Sequence, residues 1–340
     1  MPELTQPGGW LPVIFLGLMG LSMMIYVVLD GFDLGVGILL NRATDSQRDM
    51  MVASIGPFWD ANETWLVLGV GILLVAFPEA HGMILGELYL PVAFMLIGLV
   101  IRGVAFDFRV KAHDNHKAAW NWAFYAGSVV ATVSQGVMIG LYVTGFQYGW
   151  LQWLFATFTG LSLLAVYALL GASWLIMKTD STLQQRAVKW AHHSLLLSAL
   201  GIAAVSIVTP LVSPQIFAKW FAYPNIFLLA PVPLLTAGLF LLVDRVLRWL
   251  PAELERSSER WCWVPFAATV GIILLAFAGL AYSIFPYMVM DKITVWQAAS
   301  SPESLWIILI GVMVVLPAII GYTIFSYKVF WGKARALSYS

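Results

Sequence analysis

The chain has 340 residues, of which 61% are hydrophobic and only 11% charged, with a formal net charge of zero. A soluble domain usually carries about 25% charge, and there is too little polar surface here to cover a soluble core of this apolarity. The bilayer is therefore the expected solvent for most side chains, and a soluble enzyme or a nucleic-acid-binding partner is not expected.

The apolar runs, in chain order, predict nine membrane-spanning helices in a single membrane domain covering residues 1–340. A helix rises ~1.5 Å per residue and the hydrocarbon is ~30 Å thick, so about twenty apolar residues suffice. The predicted spans are 11–40, 56–77, 83–104, 121–144, 153–177, 194–212, 225–247, 263–287 and 305–327. The first exceeds what the bilayer needs, so it tilts, breaks or emerges before its end. Ser128, Thr132, Ser134 and Gln135 dilute the fourth, and Pro231, Pro233 and Pro317 are expected to kink the seventh and ninth. Gly31 and Gly35, Gly69 and Gly71, and Gly136 and Gly140 read as close-packing positions.

Charge placement orients these spans. If the loops alternate sides, every Lys and Arg except Lys219 and Lys292 falls on one side, together with the C-terminal tail. The positive-inside rule makes that side cytoplasmic. The N-terminus is then outside, the C-terminus inside, and the number of spans odd. No basic residue precedes the first run, which argues against a cleaved signal peptide. A single cysteine, Cys262, excludes an intrachain disulfide and reads as a buried thiol.

The informative residues are ionisable groups at the cytoplasmic ends of the first three spans. They are Asp30 and Asp33; Asp60 and Glu63; and Arg102, Asp107 and Arg109. An acid at the centre of a membrane helix costs ~2.5–3.5 kcal/mol, so such groups face a partner or water, not lipid. Residues three apart share a helix face. Each of the first two spans thus presents a carboxylate pair, with Arg102 available between them. Asp30, Asp60, Glu63 and Arg102 are candidates for a proton route, and Asp33, Asp107 and Arg109 for a structural charge cluster. No catalytic residue is assigned. The five histidines lie in or beside polar breaks, so neither a haem nor a metal is expected on this chain.

The motifs then resemble a known family. Asp30-Gly-Phe-Asp-Leu-Gly-Val-Gly37, Trp59-Asp60-Ala-Asn62 with Trp65-Leu66, and Arg102-Gly103 followed by Phe106-Asp107-Phe108-Arg109 occur in order. Phe285-Pro286-Tyr287-Met288, the segment Thr294 to Ser301, and Tyr322 to Lys333 follow. Together they resemble subunit II of cytochrome bd-type quinol oxidases. Glu63, where many members have Gln, and a short loop between the sixth and seventh spans resemble the cyanide-insensitive branch.

The resemblance implies two four-helix bundles and one peripheral helix in the bacterial inner membrane. It implies a partner, subunit I, that carries two b-type haems and one d-type (or b-type) haem and oxidises quinol at the outer face. The complex would reduce dioxygen to water with protons drawn from the cytoplasm and so generate a proton motive force. Asp30 and Asp60, with Arg102 as their basic neighbour, would belong to the proton route. The resemblance also admits a structural quinone, bound lipid and a small single-helix accessory subunit. From the residues alone, a secondary transporter or a purely structural membrane subunit remains an alternative.

Overall fold

A computed structural model describes residues 8–111 and 114–334. Arg335 in the tail and His113 lie outside these residues. The fold is helical apart from one small hairpin. Among the described residues, nine helices are long and apolar enough to cross a membrane.

The first span, α1 (Leu11–Leu39), runs unbroken and ends in a single 3-10 turn at Leu40–Arg42. The chain then lays down a helix that the hydropathy pattern did not predict, α2 (Asp45–Ile55), started by a capping box between Thr44 and Gln47. The second span, α3 (Trp59–Ala76), starts three residues later than the predicted 56–77 because Gly56 and Pro57 turn the chain.

The predicted third span, 83–104, is corrected on both sides. Its first residues belong to a separate short helix, α4 (Pro78–Glu87), and the span itself is α5 (Tyr89–Lys111). The chain continues with α6 (Asp114–Val143), α7 (Trp150–Lys178) and α8 (Ser181–Val212), the last helical through Pro210. A short amphipathic helix, α9 (Pro214–Phe221), fills the loop before the seventh span.

That span is split into α10 (Asn225–Leu229) and α11 (Pro231–Glu255). Pro231 opens the second piece at a position where its missing N–H costs nothing. After α12 (Val264–Ile284) comes an antiparallel hairpin of β1 (Tyr287–Val289) and β2 (Ile293–Thr294). The short helix α13 (Val295–Ala298) leads into α14 (Pro302–Val329), which Ser301 caps and which stays helical through Pro317.

The helices pack mainly with their neighbours in sequence: α5 with α6, α6 with α7, α7 with α8, and α11 with α12. Two longer-range contacts, α1 with α3 and α1 with α7, place α1 centrally. The last helix, α14, touches α3 and α1 and buries only Leu305 and Ser326.

The α1–α7 crossing depends on two glycines. A Cβ on Gly35 would lie 1.9 Å from the Tyr167 carbonyl oxygen, and one on Gly171 would lie 2.3 Å from the Gly35 carbonyl carbon. Only bare backbone fits there. Gly71, read as a packing position, has nothing within 4 Å of a Cβ and holds no such contact. At the end of the molecule that carries the charge cluster, Phe32 stacks on Trp174 at 4.0 Å and Phe58 on Tyr327 at 4.5 Å.

Candidate functional site

Three helices bring the ionisable residues together. Asp30 and Asp33 lie on α1, Glu63 on α3 and Arg102 on α5. Arg102 is 2% exposed and forks its guanidinium between two helices. Nη1 donates to Asp30 Oδ1 at 2.6 Å, and Nη2 donates to Glu63 Oε1 in a second ion pair. The Asp30 side chain is almost wholly enclosed, whereas Glu63 is 31% exposed. Paired buried charge of this kind is held by mutual attraction against a desolvation cost of several kcal/mol per ion.

The pairing differs from the sequence expectation. Arg102 takes one carboxylate from each of α1 and α3, not a pair from either. Asp33 turns to a different partner: Asn62 Nδ2 donates to its Oδ2 at 2.8 Å. The Asn62 carbonyl oxygen in turn accepts from the Tyr327 hydroxyl at 3.0 Å, which ties α14 to the cluster.

Asp60 and Glu63 separate although they are three residues apart. Glu63 turns toward Arg102 and Asp60 is exposed. Asp60 instead neighbours Asp107, which is exposed on α5 and makes no ion pair among the described residues. Arg109 does not pair with Asp107 either. It donates from Nε to Asn121 Oδ1 at 2.5 Å and from Nη2 to Asp49 Oδ1 at 2.7 Å, so it joins α5 to α6 and α2.

A narrow crevice reaches the cluster, lined by Asp33, Ile55, Trp59, Arg102, Phe106 and Phe124. Two of its lining residues carry a buried polar atom with no protein partner, the acceptor Asp33 Oδ1 and the donor Arg102 Nε.

Several of these partners escaped the sequence reading. Asn62 sits inside a quoted motif, but a neutral amide in a membrane helix gives no charge signal. Asp49 lies on a helix whose hydropathy marks no span. Tyr327 is 265 residues from Asn62 along the chain. Among the described histidines, His81 lies on α4, and His116, His192 and His193 are exposed.

The arrangement is that of a multi-pass membrane subunit with a buried ion cluster near one membrane boundary. Residues 11–330 match the family described as cytochrome bd terminal oxidase subunit II, and the chain belongs to that family. It is 28% identical to cytochrome bd ubiquinol oxidase subunit 2 of Bacillus subtilis, over 90% of this chain and 91% of that protein. It is 27% identical to cytochrome bd-I ubiquinol oxidase subunit 2 of Escherichia coli, over 93% of each. Its fold is similar to that of a chain in the structure of bd oxidase from Geobacillus thermodenitrificans. There the TM-score is 0.75, at 17% identity, over 94% of this chain and 98% of that one.

The chain is thus subunit II of a bd-type quinol oxidase complex, a multi-pass protein of the bacterial inner membrane whose partner is subunit I. The transporter alternative is left without support.

Proposed function

We propose that the Arg102 cluster is the station through which this subunit takes up cytoplasmic protons for the oxygen chemistry of its partner. The observation that carries this reading is one guanidinium shared by two carboxylates. With Asp30, Glu63 and Arg102 all ionised, the trio holds one net negative charge. It can accept one proton and become neutral without losing the buried Asp30–Arg102 pair.

The half-exposed carboxylate of Glu63 is the accessible member, and Asp60 and Asp107 stand at the rim where protons would first be collected. Proton transfer needs groups within hydrogen-bond reach or one water apart. Asp33 Oδ1 and Arg102 Nε, two polar atoms without a protein partner, lie among the residues that line the crevice beside this cluster. Asp33 and Arg109 act structurally in this scheme, Asp33 through Asn62 and Arg109 through Asp49 and Asn121. Asp107, first grouped with them, is reassigned to the rim.

The remaining assignments belong to the same reading. The cluster end is cytoplasmic, the N-terminus is outside and the C-terminus inside. Two four-helix bundles, α1 with α3, α5 and α6, and α7 with α8, α11 and α12, leave α14 peripheral. The haems, two b-type and one d-type or b-type, reside in subunit I. Subunit I covers the apolar face of α3 and α5 that exposes Val67, Ile101, Val104 and Phe108, and leaves Asp60 and Asp107 at the edge of that contact.

The test uses the whole complex. Glu63→Gln and Asp60→Asn complexes are purified, haem content is read from the optical spectrum, and quinol-driven oxygen uptake is followed across pH. Full haem content with uptake reduced by about 10²-fold or more for Glu63→Gln is the expected result. Full haem content with normal uptake at every pH would overturn the proposal.

A further inference from the structure

The segment that follows α14 folds back over the end of α7. Lys178, the last residue of α7, is 6% exposed. Its Nζ donates to the carbonyl oxygens of Phe330 and Gly332, both at 2.9 Å. In return, the backbone N–H of Ala334 donates to the Lys178 carbonyl oxygen at 2.7 Å. Lys333 donates from Nζ to the Thr179 carbonyl oxygen at 2.7 Å and pairs with Glu259, between α11 and α12, at 2.9 Å.

Both halves of this exchange answer a need. The last carbonyls of a helix have no donor within the helix, and they form the negative end of its dipole. Here two such ends, those of α7 and α14, are brought together. Lys178 supplies donors for Phe330, which caps α14, and for Gly332 just beyond it. Residues 333 and 334 supply donors for the carbonyls of Lys178 and Thr179 at the end of α7. Two ends that would repel are thus joined through two lysine ammonium groups.

The Lys178 ammonium is confined from the other side as well. It lies 5.3 Å from the centre of the Phe58 ring and 5.2 Å from that of Trp174, where the electron-rich ring faces attract a cation. The strap itself turns at Gly332, whose φ is +104°. A Cβ there would meet nothing within 4 Å, so the backbone conformation, and not a lack of space, calls for glycine.

We infer that residues 330–334 are a strap that latches α14 into the subunit, with Lys178 as its catch. This does not rest on the proton reading above. α14 buries only Leu305 and Ser326 of its own length, so apolar packing gives it little hold on α1 and α3. The strap supplies the missing hold by polar contact. Opening it is costly on both sides at once, because it bares the carbonyls of two helix ends and strands a buried ammonium without acceptors. A closed latch keeps Tyr327 of α14 in reach of Asn62.

The test is hydrogen exchange of residues 330–334, read by mass spectrometry on the purified complex, together with the melting midpoint. Lys178→Met removes the catch. Gly332→Val puts a β-branched residue where the strap must turn through positive φ. The native strap is expected to be protected, and each variant to exchange about tenfold faster and melt at a lower temperature. Both variants open one latch, so the double variant is expected to lose no more than the worse single one. If Lys178→Met does not assemble, Gly332→Val, whose side chain points into open space, carries the exchange test alone. A native strap that exchanges like unstructured chain, an assembled variant with native protection, or melting losses that add in the double variant would each overturn the latch.

Discussion

The guanidinium of Arg102 meets the carboxylate of Asp30 at 2.6 Å, with neither side chain more than 2% exposed. The same guanidinium holds Glu63 from another helix. α1, α3 and α5 are therefore pinned together by one side chain, and removing it leaves two acids facing each other in an apolar setting.

Arg102→Met is accordingly expected to destabilise the folded subunit by ~3–5 kcal/mol, the usual cost of stranding a buried charge. Arg102→Lys keeps the charge but lacks the fork that reaches both acids, so it should fall between Met and the native residue. Thermal unfolding of the detergent-solubilised complex, followed by haem absorbance, gives the order. Equal midpoints for all three would contradict the argument.

Tyr327→Phe removes one hydrogen bond and keeps the ring that stacks on Phe58, so a loss of about 1 kcal/mol is expected. Asn62→Leu should cost more, because it also takes the donor from buried Asp33. The same melting experiment separates the two, and a larger loss for Tyr327→Phe would count against this network.

The glycines provide an internal control. Gly35→Ala places a carbon against the Tyr167 carbonyl oxygen and is expected to lose most of the properly assembled complex on size-exclusion chromatography. Gly71→Ala meets nothing and is expected to be neutral or to gain up to ~1 kcal/mol, since alanine is the better helix former. Similar behaviour of the two variants would show that the α1–α7 crossing is looser than described.

At the other end of the molecule, Glu87 accepts from Tyr148 at 2.7 Å and from Lys292 at 3.3 Å. These bonds, led by that from Tyr148, hold its carboxyl below the usual glutamate value, and burial together with Glu87 pushes the Tyr148 phenol up to about 12. Because the folded value is the lower one, the stabilisation is fully present above the unfolded value of about 4.3. It is lost as pH falls through the folded value. Melting midpoints of the native protein and Glu87→Gln should differ at pH 7 and converge in strong acid. A gap that widens on acidification would reverse the assignment.

Much of this was readable in the sequence because membrane insertion writes a coarse code. The positions of Lys and Arg and the length of the apolar runs marked nine spans, and the structure has nine candidates among its described residues. The code failed where polarity and helix do not coincide. α2 and α4 are helices without a spanning hydropathy signal, so the third predicted span absorbed part of α4 and lost the turn carrying Asp107 and Arg109.

Site residues followed the same division. Charged groups announced themselves, but their partners did not. Spacing of three along α3 suggested one shared face for Asp60 and Glu63, yet the rotation of about 60° between such positions is enough to send one outward and the other to Arg102.

The link from Tyr327 through Asn62 to Asp33 joins the ninth span to the first. A chain made from its N-terminus places Asp33 in the membrane long before Tyr327 has been synthesised. Throughout that interval Asn62 has an acceptor that nothing in the nascent chain can satisfy from α14. α14 therefore completes the surroundings of an acid inserted with the first span, and a chain stopped short of α14 leaves that acid's support unfinished.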